Sequence, residues 1–82
     1  MRFTKDRNLR KVLEELLEVI PDIPENHQII KEFRNMHYYL LYTDPELTGV
    51  KWLQVGLSLT KHFGKEDTEL RKKIQVIFNG SS

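Results

Sequence analysis

Between positions 9 and 20 the apolar residues Leu9, Val12, Leu13, Leu16, Leu17 and Ile20 recur at steps of 3 and 1, with Arg10, Lys11, Glu14, Glu15 and Glu18 among the positions between them. That spacing keeps all six on one stripe of an α-helix, because a helix turns once in 3.6 residues. The pattern predicts a first helix over residues 5–20. Thr4 or Asp6 can cap its start by accepting a bond from a backbone N–H, and Pro21 and Pro24 end it for lack of a donor. A second stripe, Ile29, Ile30, Phe33, Met36, Leu40 and Leu41, predicts a helix over residues 26–42. Thr43-Asp44-Pro45 then reads as a helix entry, with Pro at the first helical position, and Gly64 as the exit of a third helix over 45–63. Glu66, Asp67 and Thr68 supply caps for a fourth helix over 67–78, whose stripe is Leu70, Ile74, Ile77 and Phe78; residues 79–82 are expected to form a flexible tail.

The third helix carries two apolar faces. Val50, Leu53 and Leu57 line one side, and Trp52, Val55, Leu59 and Phe63 line another. A helix apolar on two faces is usually enclosed on both sides, and Gly49 and Gly56 fit that expectation by letting another backbone come close. The expected fold is therefore all-α: a single domain over residues 1–82, built as a compact four-helix, non-parallel bundle with the third helix buried at its centre. The alternative leaves one face of that helix to a second copy or a partner.

Length and charge narrow the function classes. An 82-residue domain buries only about 60–65% of the surface its unfolded chain exposes, which leaves little depth for a catalytic cleft. Thirteen basic residues against twelve acidic ones give a formal charge of +1, so the molecule as a whole has no strong pull toward nucleic acid or an anionic bilayer. The absence of cysteine excludes disulfides, thiolate nucleophiles and sulfur-held zinc. No run resembles a signal peptide or approaches the roughly 18 apolar residues of a membrane span, so the expected location is intracellular, with nothing to separate cytoplasm from nucleus.

Candidate chemistry is sparse. Ser58 sits between Leu57 and Leu59 in mid-helix and reads as a packed or backbone-bonded hydroxyl, not a nucleophile beside a base. His27, His37 and His62 lie on three different helices without the spacing of a metal site; His37 reads as a hydrogen-bonded residue at the core edge and His62 as a helix C-terminal cation. Glu14, Glu15 and Glu18 fall on a solvated flank, with Glu14 paired at i, i+4 with Arg10 and Glu15 with Lys11. The four glycines are isolated and form no phosphate loop. No cofactor, metal, membrane or small-molecule substrate is expected, and the chain reads as a non-enzyme.

The rhythm of an opening amphipathic helix, a helix pair and a charged closing helix loosely resembles HEAT-type helical repeats. The resemblance covers about half the chain, is carried especially by Asp44-Pro45-Glu46 through Trp52-Leu53-Gln54 to Lys61-His62-Phe63-Gly64, and involves no diagnostic motif. It implies a protein-docking module, not a catalyst. No internal repeat of longer period accompanies it.

Two surface features point to partners. Tyr38, Tyr39 and Tyr42 fall off the apolar stripe of the second helix, on the side shared with Lys31. With Trp52 on the third helix they form the candidate protein interface, since aromatic side chains are enriched where proteins meet. The bland alternative wraps the tyrosine rings between the first helix and the turn at 43–44. Arg7, Arg10 and Lys11, joined by Arg71, Lys72 and Lys73, form a candidate basic patch. The leading reading is a small helical module that binds another protein or itself; the second is a nucleic-acid-binding domain that uses the basic patch.

Overall fold

The computed structural model describes residues 8–43, 45–64 and 68–80, and these contain four α-helices and no strand. They are α1 (Leu9–Val19), α2 (His27–Tyr39), α3 (Pro45–Phe63) and α4 (Glu69–Asn79), with a single 3-10 turn, Pro24–Asn26, leading into α2.

Each boundary has a local cause. α1 starts at Leu9 because Asn8 is extended and its side-chain oxygen accepts the Arg10 N–H at 2.8 Å. Asn8 thus takes the capping role expected of Thr4 or Asp6, and the expected start at residue 5 lies outside the described residues. Pro24 opens the 3-10 turn, so helical rotation starts two residues before the expected Asn26 and becomes α-helical at His27. α2 ends at Tyr39, short of the expected residue 42. The N–H groups of Leu41 and Tyr42 bond the carbonyls three residues back, and that tightening turns Leu41 off the stripe into solvent.

α3 runs over its expected residues. It ends at Gly64 through close approach and not through left-handed backbone, since a Cβ at Gly64 would collide with the Thr60 carbonyl. Thr68 caps α4 by accepting the Arg71 N–H at 3.1 Å, so this helix starts at Glu69 and not at 67. It closes on Gly80, whose φ of 72° is the left-handed conformation that glycine adopts at no steric cost. Asn79 is accordingly helical and Gly80 is its cap, in place of the tail expected from residue 79. Thr68→Ala is expected to lower stability by about 1 kcal/mol through the orphaned first-turn donor, measured as a shifted urea midpoint at constant slope.

One apolar cluster holds the helices together. α1 contributes Leu9, Val12, Leu13 and Leu16, with Ile20 just beyond it; α2 contributes Ile29, Ile30, Phe33 and Met36; α3 contributes Trp52, Val55, Leu59 and Phe63; α4 contributes Ile74. Each such side chain, fully buried, is worth about 1.5–3 kcal/mol, which is how four short helices without a disulfide stay folded.

α1 packs against both α2 and α4, and α2 packs against both α1 and α3. α3 lies along α2 and meets α4 around Phe78, and its other face stays open: Val50, Leu53 and Leu57 are 60%, 71% and 70% exposed. The second apolar face of α3 is therefore not enclosed within one chain, against the expectation of a central helix covered on both sides. Among the described residues no helix is long and apolar enough to cross a membrane.

Candidate interaction surface

α3 and α4 diverge from the contact between Trp52 and Phe78, whose rings meet edge-to-face at 5.4 Å between centroids. Phe78 reaches α3 because Gly56 has no side chain: a Cβ there would stand 3.2 Å from the Phe78 ring. Beyond this contact the seam opens into a groove of about 790 Å³. Trp52, Leu59, Phe63 and Ile74 form its floor, Leu53 and Leu57 its α3 lip, and Arg71 and Gln75 its α4 lip. Of the two glycines expected to permit close packing, only Gly56 does so; around Gly49 nothing lies within 4 Å of an added Cβ.

The tyrosines lie at the surface. Tyr38 and Tyr42 are 66% and 76% exposed and stack edge-to-face on each other at 5.7 Å. Tyr39, half exposed, receives the Lys51 ammonium 4.7 Å above its ring, a cation–π contact that joins α2 to α3. Tyr38 and Tyr42 are too exposed to be wrapped by neighbouring elements, whereas Tyr39 is partly covered; Asp44 of the expected wrapping turn lies outside the described residues. Trp52, expected beside them, is buried in the core and enters a surface only as the floor of the groove. Lys31 lies apart, in a shallow hollow with Asp22, His27, Ile30, Arg34 and Asn35.

Of the basic patch, Arg7 lies outside the described residues. Arg10 is half-buried and Lys11 exposed on α1, Lys72 and Lys73 are exposed on α4, and Arg71 is half-buried at the groove. Glu14, Glu15 and Glu18 on α1 and Glu69 on α4 are also exposed, so acidic groups are interleaved with the basic ones.

The polar side chains that meet do so between elements. His37 Nε2 stands 2.9 Å from a Glu14 carboxylate oxygen, linking α2 to α1. That hydrogen bond, and to a lesser degree the charges of Arg10 and Lys11, holds the Glu14 carboxyl below its usual range despite the opposing effect of desolvation. Glu14 therefore turns to His37 on the neighbouring helix, with Arg10 acting on it through longer-range charge alone. The Ser58 hydroxyl donates to Glu32 at 2.9 Å, a side-chain link from α3 to α2 in place of the expected packed or backbone-bonded hydroxyl.

Asn26 was not singled out by pattern, yet it is the most telling polar residue. It is 5% exposed, its amide donates to the Pro21 carbonyl at 3.1 Å, and its oxygen faces His62 Nε2 at 3.0 Å. Because the amide N–H must face a carbonyl, the oxygen is left as acceptor, and His62 donates through Nε2. His62 thereby pins the end of α3 to the entry of α2, in addition to its place in a helix's last turn. No cluster of three or more metal-ligating side chains occurs among the described residues.

Compared with known protein families, curated proteins and solved structures, the chain matches none.

Proposed function

We propose that this protein is a small non-catalytic helical module that binds another protein, or itself, through the open face of α3, the groove beside it and the tyrosines of α2. The observation that carries the reading is the run of exposed Val50, Leu53 and Leu57 along one helix, continuous at Leu53 and Leu57 with an apolar groove. Single exposed leucines are ordinary on a protein surface, whereas a contiguous apolar strip beside a groove is a recurring mark of docking sites. Lys51 on the Tyr39 ring sits where α3 meets α2, so the tyrosine side borders the same helix.

Two further observations support it. His37 with Glu14, Ser58 with Glu32 and His62 with Asn26 are two-residue ties between helices, which gives the reactive side chain types a structural employment. The HEAT-like rhythm of residues 44–64 coincides with the helix that carries the open face.

The test compares two variants with the unmodified chain in light scattering and in capture of partner proteins. Leu53→Lys with Leu57→Lys, and Tyr38→Ala with Tyr42→Ala, should each keep the helical circular dichroism and shift stability by no more than about 0.5 kcal/mol, as surface changes do. Association, with itself or with a partner, should be lost in the first and weakened in the second. If both variants retain every association, the reading is wrong. If the lysine pair disturbs folding, Leu53→Gln with Leu57→Gln takes its place, and the same loss of association is expected. Nucleic-acid binding that declines steeply with salt and depends on Lys72 and Lys73 would replace it with the basic-patch reading.

A further inference from the structure

We infer that the occupant of the open α3 face is a second copy of this chain, laid antiparallel along α3. The inference rests on the docking reading above and names its partner. Val50, Leu53, Leu57 and Thr60 follow one another at steps of 3, 4 and 3 residues. Steps that alternate between 3 and 4 residues are the rhythm by which two helices interlock side chains along their length. All four are exposed in the single chain, and α3, at 19 residues, offers this seam along a helix about 28 Å long. Gly49 flanks the seam with nothing within 4 Å of a Cβ placed on it. Glycine weakens a helix interior, and no contact inside this chain compensates; the close approach of a second helix does.

Charge selects the partner and the direction. Between Leu47 and Thr60 the only charged side chain is Lys51, whose ammonium lies over Tyr39 on α2. Glu46 lies in the first turn of α3 and Lys61 in the last. Parallel pairing sets like charges together at both ends, whereas antiparallel pairing brings Glu46 of each copy to the end that holds Lys61 of the other and opposes the two helix dipoles favourably. An apolar strip that is acidic at one end and basic at the other is thus complementary to itself across a two-fold axis, as a closed dimer requires. With that axis beside residue 55, Leu53 of each copy meets Leu57 of the other and Val50 meets Thr60. At a formal charge of +1 the two copies repel each other little.

The test takes the full chain through analytical ultracentrifugation from micromolar to millimolar concentration. Oxidative cross-linking follows, at single cysteines introduced into a sequence that has none. The expected mass is twice the 9.8 kDa of one chain, falling to that of one chain in Leu53→Lys with Leu57→Lys while circular dichroism is unchanged. Leu53→Gln with Leu57→Gln serves if the lysine pair disturbs folding. Gln54→Cys, beside the axis, should form an intermolecular disulfide, and Leu47→Cys, far from it, should form none, because a disulfide needs the two Cα atoms within about 7 Å.

A chain that is monomeric at every concentration, a dimer that survives both variant pairs, or Leu47→Cys linking as readily as Gln54→Cys would overturn the inference. A monomer in which Leu53→Lys with Leu57→Lys abolishes capture of a different protein overturns the second copy alone. Indifference to these variants in both measurements overturns the docking reading as well.

Discussion

Phe33→Ala is expected to cost about 3–5 kcal/mol, the range for emptying an aromatic site in a core that relaxes only in part. Phe33 is wholly buried on α2, the helix that packs against both α1 and α3, so a cavity there loosens the cluster shared by three helices. Stabilities of roughly 0.05–0.15 kcal/mol per residue put an 82-residue domain at about 4–12 kcal/mol in all. The variant is therefore expected to be largely unfolded in mild urea, and near the lower end of that range in buffer alone. Phe33→Leu, which retains most of the volume, should lose far less. Urea denaturation followed by circular dichroism measures both. A loss under about 1 kcal/mol for Phe33→Ala would mean that the site collapses freely and that α2 is not a shared wall.

Asn26→Ala is the second substitution with a large expected effect, at about 1–3 kcal/mol. The change leaves the Pro21 carbonyl and His62 Nε2 without the partner that joins the entry of α2 to the last turn of α3. Asn26 is buried, but Pro21 and His62 are exposed residues, so water takes up part of what they lose and the cost is expected toward the lower end of that range. A double-mutant cycle with His62→Ala isolates the tie. The two substitutions should be non-additive by at least about 0.5 kcal/mol, as for residues in contact, and strict additivity would show that the two side chains do not interact. Asn26→Asp is expected to be no rescue, because a carboxylate can accept from His62 but cannot donate to Pro21, and it places a charge in a buried position.

How much of this was legible beforehand follows from the range of each cause. The α1 stripe from Leu9 to Ile20 was readable because its burial depends on a periodicity contained within twelve residues. Thr68 was readable for the same reason, as capping acts over one turn. The start of α1 was misplaced because Asn8, Asp6 and Thr4 are equally good caps by type. The end of α2 was misplaced because a tightening from α-type to 3-10 bonds leaves no mark in composition.

The surface tyrosines could be named from angular position alone, since Tyr38, Tyr39 and Tyr42 fall off a strong stripe. Trp52 could not be sorted in the same way. Its helix has two apolar faces, and only the arrival of Phe78 at Gly56 determines which of them is covered. The groove and the Asn26 tie were illegible for a related reason. Gly56 and Phe78 stand 22 residues apart, and Asn26 and His62 stand 36 apart, so no local spacing relates them.

The sequence by itself determined the all-helical class, the number of helices, their order and the residues of the main stripes, because these depend on periodicity and capping within a few turns of chain. The tertiary structure decided that α1 and α2 each stand between two neighbours, that Trp52 faces inward, and that Val50, Leu53 and Leu57 remain open. The physical reason is that a helix with two apolar faces has two equivalent ways to bury one of them. The choice rests on which long-range partner, here Phe78 against Gly56 and Asn26 against His62, closes around it first in space rather than in sequence.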